Sequence, residues 1–218
     1  MNNVHDYDSL IKSIMNNDHI HTLDNGDINN ATQYIIESKD VQDKDGWTTL
    51  MNVCRYYRHD NLPKIVEILK DTRNIQNEDG DTALMITCQY NNHNNLPKIV
   101  EILKDTRNIQ NECGDTALII ACKYNNHNNL SDIVKILKDT RKIQNECGNT
   151  ALIYACMCYN DTNLPEIVKI LKDTRMLQNR YNGTALMYIY VNYTHDNLPE
   201  IVEILQGSMY LQDDYDKL

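Results

Sequence analysis

The feature that most constrains this chain is that one phrase is written again and again along it. NEDGDTALMITCQYNNHNNLPKIVEILKDTRNIQ, residues 77–110, is followed without a gap by NECGDTALIIACKYNNHNNLSDIVKILKDTRKIQ and NECGNTALIYACMCYNDTNLPEIVKILKDTRMLQ. The period is 34 residues, and the same register extends to an earlier copy and a later one. A unit this short cannot bury its own apolar face, whereas stacking gives each internal unit two neighbours and one continuous core. The expected plan is a single solenoid with repeats at 43–76, 77–110, 111–144, 145–178 and 179–212. Residues 1–42 read as a divergent N-terminal cap, because 31–41 fall in register with 65–75, and 213–218 as a tail.

Within a unit, Leu84, Thr87 and Cys88 lie three and four apart, the spacing of one helical face. Ile99, Val100, Ile102 and Leu103 repeat that spacing, so each unit is expected to be a helix pair. In the link NNHNNLP, Asn95 is placed to cap the second helix, with Pro97 in its first turn. Asn163 with Glu166, and Asn197 with Glu200, have the spacing of a capping box. The joining segment DTRNIQNEDG has too few apolar residues for a helix and reads as an extended loop or short hairpin turning at its glycine. Gly46, Gly80, Gly114 and Gly148 keep step there, followed in register by Asn182 and not Gly183. Asn is the next best residue for a positive φ, so the turn is expected in all five copies.

Gly-x-Thr-Ala-Leu, two small residues in the first helix and Ile-Val-x-Ile-Leu in the second resemble the ankyrin repeat over residues 43–212. The resemblance implies an all-α chain, an ankyrin-type helical solenoid with short extended or hairpin loops between repeats. It also implies a non-catalytic scaffold that binds another protein, with no cofactor, no metal and no catalytic residue. Three departures stand out: Thr-Ala-Leu-Met or Thr-Ala-Leu-Ile replaces the family's Thr-Pro-Leu-His, the link between helices is longer, and the second helix exits through Lys-Asp-Thr-Arg with no Gly-Ala turn. The first removes a hydrogen bond that ties the family's loops, so looser hairpins are expected. The Asn-rich links are similar in texture to ankyrin arrays of large DNA viruses that infect amoebae.

The family's binding surface is its concave face, flanking the turn glycine and the end of the first helix. Carried onto this chain, it gives Asp45, Trp47, Tyr56, Glu78, Asp79, Asp81, Tyr90, Glu112, Asp115, Tyr124 and Tyr181 as partner-binding residues. The first three units are acidic and aromatic there, which suits a basic or mixed-charge segment of a partner protein. Trp47, the only Trp, is the leading hot-spot candidate. The Tyr56, Tyr90, Tyr124 ladder is divided between internal packing and partner contact. Charge reversal at Asp79, Asp81 and Asp115 is expected to weaken capture without lowering stability.

Composition excludes other classes. The 31 Asp and Glu against 21 Lys and Arg give a formal charge of −10, which repels nucleic-acid backbones and anionic membranes. No run approaches the ~18 apolar residues of a membrane span. The seven cysteines fall into a ladder at Cys54, Cys88, Cys122 and Cys156, a second at Cys113 and Cys147, and Cys158. Ladders spread along an axis do not converge on a metal, and the odd total is no disulfide framework, so a reducing compartment, the cytoplasm or the nucleus, is expected. His59, His93, His127 and His195 recur once per repeat, unlike a catalytic histidine. Arg73, Arg107, Arg141 and Arg175 read as charge complementing a helix C-terminus, with local ion pairs. A monomer is expected. The alternative is a structural or self-associating segment of a longer ankyrin-repeat protein, stacking through an uncapped end where Ile201, Val202, Ile204 and Leu205 remain apolar.

Overall fold

The computed structural model describes residues 42–57, 60, 62–91, 94–124, 129–158 and 162–207. The expected cap up to residue 41, the tail at 213–218 and the linker residues His59, His93, His127 and Asp161 lie outside the described residues. Among the described residues there are ten α-helices, four 3-10 turns and no β-strand. The chain divides into two units, Met1–Glu112 and Cys113–Leu218. The first holds α1 (Thr49–Tyr56), α2 (Leu62–Leu69), α3 (Ala83–Tyr90) and α4 (Leu96–Leu103). The second holds α5 (Ala117–Tyr124), α6 (Leu130–Leu137), α7 (Ala151–Cys158), α8 (Leu164–Leu171), α9 (Ala185–Asn192) and α10 (Leu198–Gln206). In each unit antiparallel pairs stack first helix on first helix and second on second: α1 on α3 and α2 on α4, then α5, α7 and α9 in one row with α6, α8 and α10 in another. Each unit is an ankyrin-type stack of helical hairpins.

The first helices start where a threonine accepts a backbone hydrogen bond. The Oγ1 atoms of Thr48, Thr82, Thr116, Thr150 and Thr184 accept from the amides of Met51, Met85, Ile119, Ile153 and Met187 at 3.2–3.4 Å. These helices are not amphipathic in the way the Leu84, Thr87, Cys88 spacing suggests. Ala83–Cys88, Ala117–Cys122 and Ala151–Cys156 are buried along their whole length; within its unit α3 packs on α1 and α4, α5 on α7 and α6, and α7 on α5, α9 and α8. The cysteine ladder sits inside this layer as a small apolar residue: Cys54, Cys88, Cys122 and Cys156 are buried and in no disulfide, and burial pushes Cys88 and Cys156 up to about 12.

The second helices keep a one-sided apolar stripe, such as Leu96, Ile99, Val100 and Leu103. Their expected side-chain caps do not form. Asn95, Asn129, Asn163 and Asn197 sit at φ −83 to −91° with ψ near zero, outside the extended region in which a cap side chain reaches the N2 or N3 amide. Their carbonyls enter the helix instead, Asn95 O accepting from Ile99 N at 3.2 Å. The capping-box glutamates are used elsewhere: Glu166 pairs with Lys135 at 2.7 Å and Glu200 with Lys169 at 2.6 Å, each bridging successive second helices.

The Lys-Asp-Thr-Arg exit replaces a Gly-Ala turn with a tightened one. Each Lys-Asp-Thr forms a 3-10 turn, and its buried Thr hydroxyl donates to the last leucine carbonyl, Thr140 Oγ1 to Leu137 O at 3.0 Å, for example. Arg141 Nη1 donates to Lys138 O at 3.1 Å while Nη2 reaches Asp173 at 2.9 Å; Arg73 treats Lys70 O and Asp105 in the same way. Arg73 and Arg141 thus complement the helix C-terminus as their position suggests, and each also reaches a carboxylate of the following repeat.

Between repeats the chain makes a hairpin whose tip bonds to the next tip. Glu78 N donates to Asp45 O and Glu112 N to Asp79 O in the first unit; Glu146 N donates to Cys113 O and Arg180 N to Cys147 O in the second, all at 3.0–3.2 Å. Glycine is needed at the turn for two reasons. Gly148 has φ +77°, and a Cβ there would lie 2.9 Å from Arg180 N of the next tip. Asn182 takes φ 60° in the fifth copy, as expected. Gly183 follows because a Cβ at that position would meet the Tyr188 ring at 2.8 Å.

Candidate functional site

The hairpin tips and the ends of the first helices carry the residues singled out in the sequence, and they separate by burial. In the first unit Asp45, Glu78, Asp79 and Glu112 are exposed at successive tips. Beside them Arg55, in the last turn of α1, lies under three rings: its Cζ is 5.0 Å from the Trp47 centroid, 5.0 Å from Tyr56 and 4.4 Å from Tyr90. Trp47 is half-buried; Tyr56 and Tyr90 are exposed at 44% and 39%. Such a cluster holds rings and cation in fixed orientations by cation–π attraction. Two members of the tyrosine ladder therefore pack and present surface at once.

Asp81 and Asp115 are not part of any open surface. They are buried, at 9% and 3% exposure, because each carboxylate receives an asparagine from the next repeat: Asn111 Nδ2 donates to Asp81 Oδ1 at 2.8 Å, and Asn145 Nδ2 to Asp115 Oδ1 at 2.7 Å. Lys123 adds an ion pair to Asp115 Oδ2 at 3.5 Å and lies 5.0 Å from the Tyr124 centroid and 5.3 Å from that of Tyr154. Burial works against the Lys123 charge, but Tyr124 and Asp115 outweigh it and hold the amine above its ordinary range. The register position shared by Trp47, Asp81, Asp115, Asn149 and Gly183 is accessible only at Trp47.

The asparagines that open the second to fifth repeats, Asn77, Asn111, Asn145 and Asn179, were not among the residues expected to matter. Asn145 Oδ1 accepts from the amides of Cys147 and Asn149 at 3.0 and 2.9 Å, and its Nδ2 also donates to Tyr154 Oη at 3.2 Å. Asn179 repeats the pattern with Tyr181 N, Gly183 N, Asn149 Oδ1 and Tyr188 Oη. The hairpins are accordingly tied and not loose: a buried asparagine replaces the missing histidine bond. Its in-step recurrence at Asn77, Asn111, Asn145 and Asn179 was the available signal.

In the second unit the tips carry Cys113, Glu146, Cys147, Arg180 and Tyr181, all exposed, with Tyr181 at 79%. Tyr124 is exposed at 47%. Burial raises the Cys158 thiol, with Lys123 acting in the opposite direction. Ile201 and Leu205, expected at an open end, are buried, and Val202 and Ile204 are half-buried. The open apolar side chains at this end belong to α9, where Met187, Tyr190 and Val191 are 57%, 57% and 81% exposed. Among the described residues no group of three or more His, Cys, Asp or Glu converges as metal ligands, and no helix is long and apolar enough to cross a membrane.

Helical hairpins stacked row on row define a helical-repeat protein. A family model of ankyrin repeats matches residues 19–103, 57–131, 92–175 and 126–214, and the chain belongs to the ankyrin-repeat family. No curated protein matches its sequence. Among solved structures it is similar to an ankyrin-repeat domain from Acinetobacter baumannii, with TM-score 0.65, 20% identity and coverage of 91% of this chain and 96% of that one. It is also similar to the ankyrin-repeat domain of Bcl-3, described as a member of the IkappaB protein family (TM-score 0.58, 21% identity, 82% and 77% coverage). A third is the structure of a predatory endopeptidase from Bdellovibrio bacteriovorus in complex with an immunity protein (TM-score 0.58, 20% identity, 90% and 96% coverage). At these identities the likeness is one of fold.

Proposed function

We propose that the chain is a non-catalytic scaffold that binds a basic segment of another protein at the hairpin tips and α1–α3 helix ends of its first unit. Ankyrin repeats generally mediate protein–protein interaction, and that membership supports the class. The single observation that carries the finer reading is the Trp47, Arg55, Tyr56 and Tyr90 cluster beside four exposed carboxylates. Pre-ordered aromatic side chains lose little entropy on binding and offer large contact area, while Asp45, Glu78, Asp79 and Glu112 favour a cationic approach. Asp81, Asp115 and the buried register position drop out of the binding surface. Tyr124 and Tyr181 remain as accessible contacts on the second unit. Seven cysteines in no disulfide, four of them inside the first-helix layer, fit a protein of a reducing compartment.

The test uses Trp47 as the sole tryptophan reporter. Titration with a short Arg- and Lys-rich peptide should change its fluorescence, with affinity falling as salt rises, and an acidic peptide should give no change. Reversal of Asp45, Glu78, Asp79 and Glu112 to Lys should weaken binding at least ~10-fold while leaving the thermal midpoint within a few degrees, since all four are exposed. Equal binding by that variant defeats the acidic-tip reading. The reversal of Asp79, Asp81 and Asp115 together is the wrong experiment, because two of those carboxylates are buried.

A further inference from the structure

One register position is filled differently in the first repeat, and a buried donor is left over beside it. At the later junctions, the asparagine that opens a repeat bonds to the side chain at the 47-type position of the repeat before it. Asn111 Nδ2 donates to Asp81, Asn145 Nδ2 to Asp115 and Asn179 Nδ2 to Asn149, at 2.7–2.8 Å. The matching residue for Asn77 is Trp47, whose indole nitrogen can only donate. Asn77 Oδ1 accepts from Asp81 N at 2.8 Å, which fixes the orientation of the amide. Its Nδ2 has no hydrogen-bond partner, although Asn77 is only 6% exposed. A buried donor left unmade is costly.

The junction of the third and fourth repeats shows what satisfies such a donor. There one carboxylate is held at both oxygens: Asn145 Nδ2 donates to Asp115 Oδ1 at 2.7 Å, and Lys123 Nζ lies 3.5 Å from Oδ2. Lys123 also lies 5.0 Å from the Tyr124 centroid. At the first junction the register equivalents are Asn77 for the amide, Arg55 for the cation and Tyr56 for the ring, with Arg55 Cζ again 5.0 Å from the ring centroid. Amide, cation and ring are kept, and the carboxylate alone is replaced. We propose that Arg55 and Asn77 form a binding site for a carboxylate side chain, an Asp or Glu carried within the basic segment that the first unit binds. The site rests on the reading of that unit given above and adds the one acidic residue its partner must contain. A guanidinium and an amide together present the donors that two carboxylate oxygens need. The half-buried Trp47 ring stands at the register position of Asp115 and moves aside as the carboxylate enters, which couples its fluorescence to binding. A wholly acidic peptide is turned away by Asp45, Glu78, Asp79 and Glu112, so the carboxylate has to arrive on a chain that is basic elsewhere.

The probe is a Lys-rich peptide, amidated at its C-terminus, with a single Glu moved along it, compared with the same peptides carrying Gln and read by Trp47 fluorescence. Glu lowers the peptide's positive charge, so the field of a chain of charge −10 favours the Gln peptide at every position. A carboxylate site gives the opposite sign: at one or two positions Glu binds at least ~5-fold more tightly than Gln. Asn77→Asp should abolish that preference by replacing the donor with an oxygen. The hairpin tolerates the change, since Asp43 at the equivalent position accepts from Asp45 N and Trp47 N at 3.0 and 2.8 Å. A second measurement needs no peptide. Trp47→Asp supplies the carboxylate from within, and despite adding a negative charge to an acidic surface it should melt about 3 °C or more above Trp47→Ala. Gln peptides that bind as well as Glu peptides at every position, a Glu preference that survives Asn77→Asp, or a Trp47→Asp variant that melts no higher than Trp47→Ala overturns the proposal. If no peptide binds, the basic-segment reading is what fails, and the two melting temperatures decide the carboxylate site on their own.

Discussion

The asparagine at the head of each of the last four repeats is a tie within and between hairpins. In Asn145, one side chain satisfies the amides of Cys147 and Asn149, a carboxylate oxygen of Asp115 in the preceding repeat and the Tyr154 hydroxyl. Asn145→Ala leaves those buried groups without their partner, and an orphaned buried polar group costs about 1–3 kcal/mol. The variant is expected to lose about 2–4 kcal/mol in urea unfolding at an unchanged slope. Residue identity alone conveys none of this. An asparagine beside a glycine turn reads as a surface loop residue, and only the closed hairpin shows that it points inward. The same blind spot placed Asp81 and Asp115 on the binding surface. Sequence marks a carboxylate as acidic, but the asparagine that buries it lies thirty positions away. Exposed members such as Asp45, Asp79, Tyr56 and Tyr90 were readable because the ladder put them at the tip or helix end.

At the scale of elements, period and propensity carried most of the information. Helix pairs, their turn glycines and the positive φ at Asn182 follow from a 34-residue register and the steric preferences of glycine and asparagine. The caps were misplaced: threonine caps the first helices, whereas the asparagines before the second helices bond through their backbone. The turn itself gives a clean prediction. Gly148→Ala forces a Cβ into both φ +77° and a 2.9 Å approach to Arg180 N, and is expected to cost about 1–3 kcal/mol. Asn182→Gly relieves the smaller strain of a non-glycine residue at φ 60° and should be neutral or stabilising by up to about 1 kcal/mol. Thermal denaturation of the two variants side by side checks the pair, and equal destabilisation would contradict this account of the turn.

For the molecule as a whole, several bonds between neighbouring repeats recur at offsets of 30 to 34 residues. Tip amide to tip carbonyl, asparagine to the 47-type position, arginine to the next aspartate and Gln144 to Gln178 O each join one register position of a repeat to a fixed position of its neighbour. Removing residues 145–178 therefore joins Gln144 to Asn179, whose amide then faces Asp115 as Asn145 did. The shortened chain is expected to fold cooperatively with a lower denaturant slope, reflecting less buried surface, and circular dichroism in urea measures both. Loss of cooperative unfolding would show that one repeat holds a contact the others do not. The hairpin ladder described above has a consequence beyond stability: because the junctions within each unit repeat the same bonds, unequal exchange between copies of the coding sequence inserts or deletes whole repeats without creating a seam. The length of such a chain, and with it the number of tips it displays, is open to inheritance as a variable in its own right.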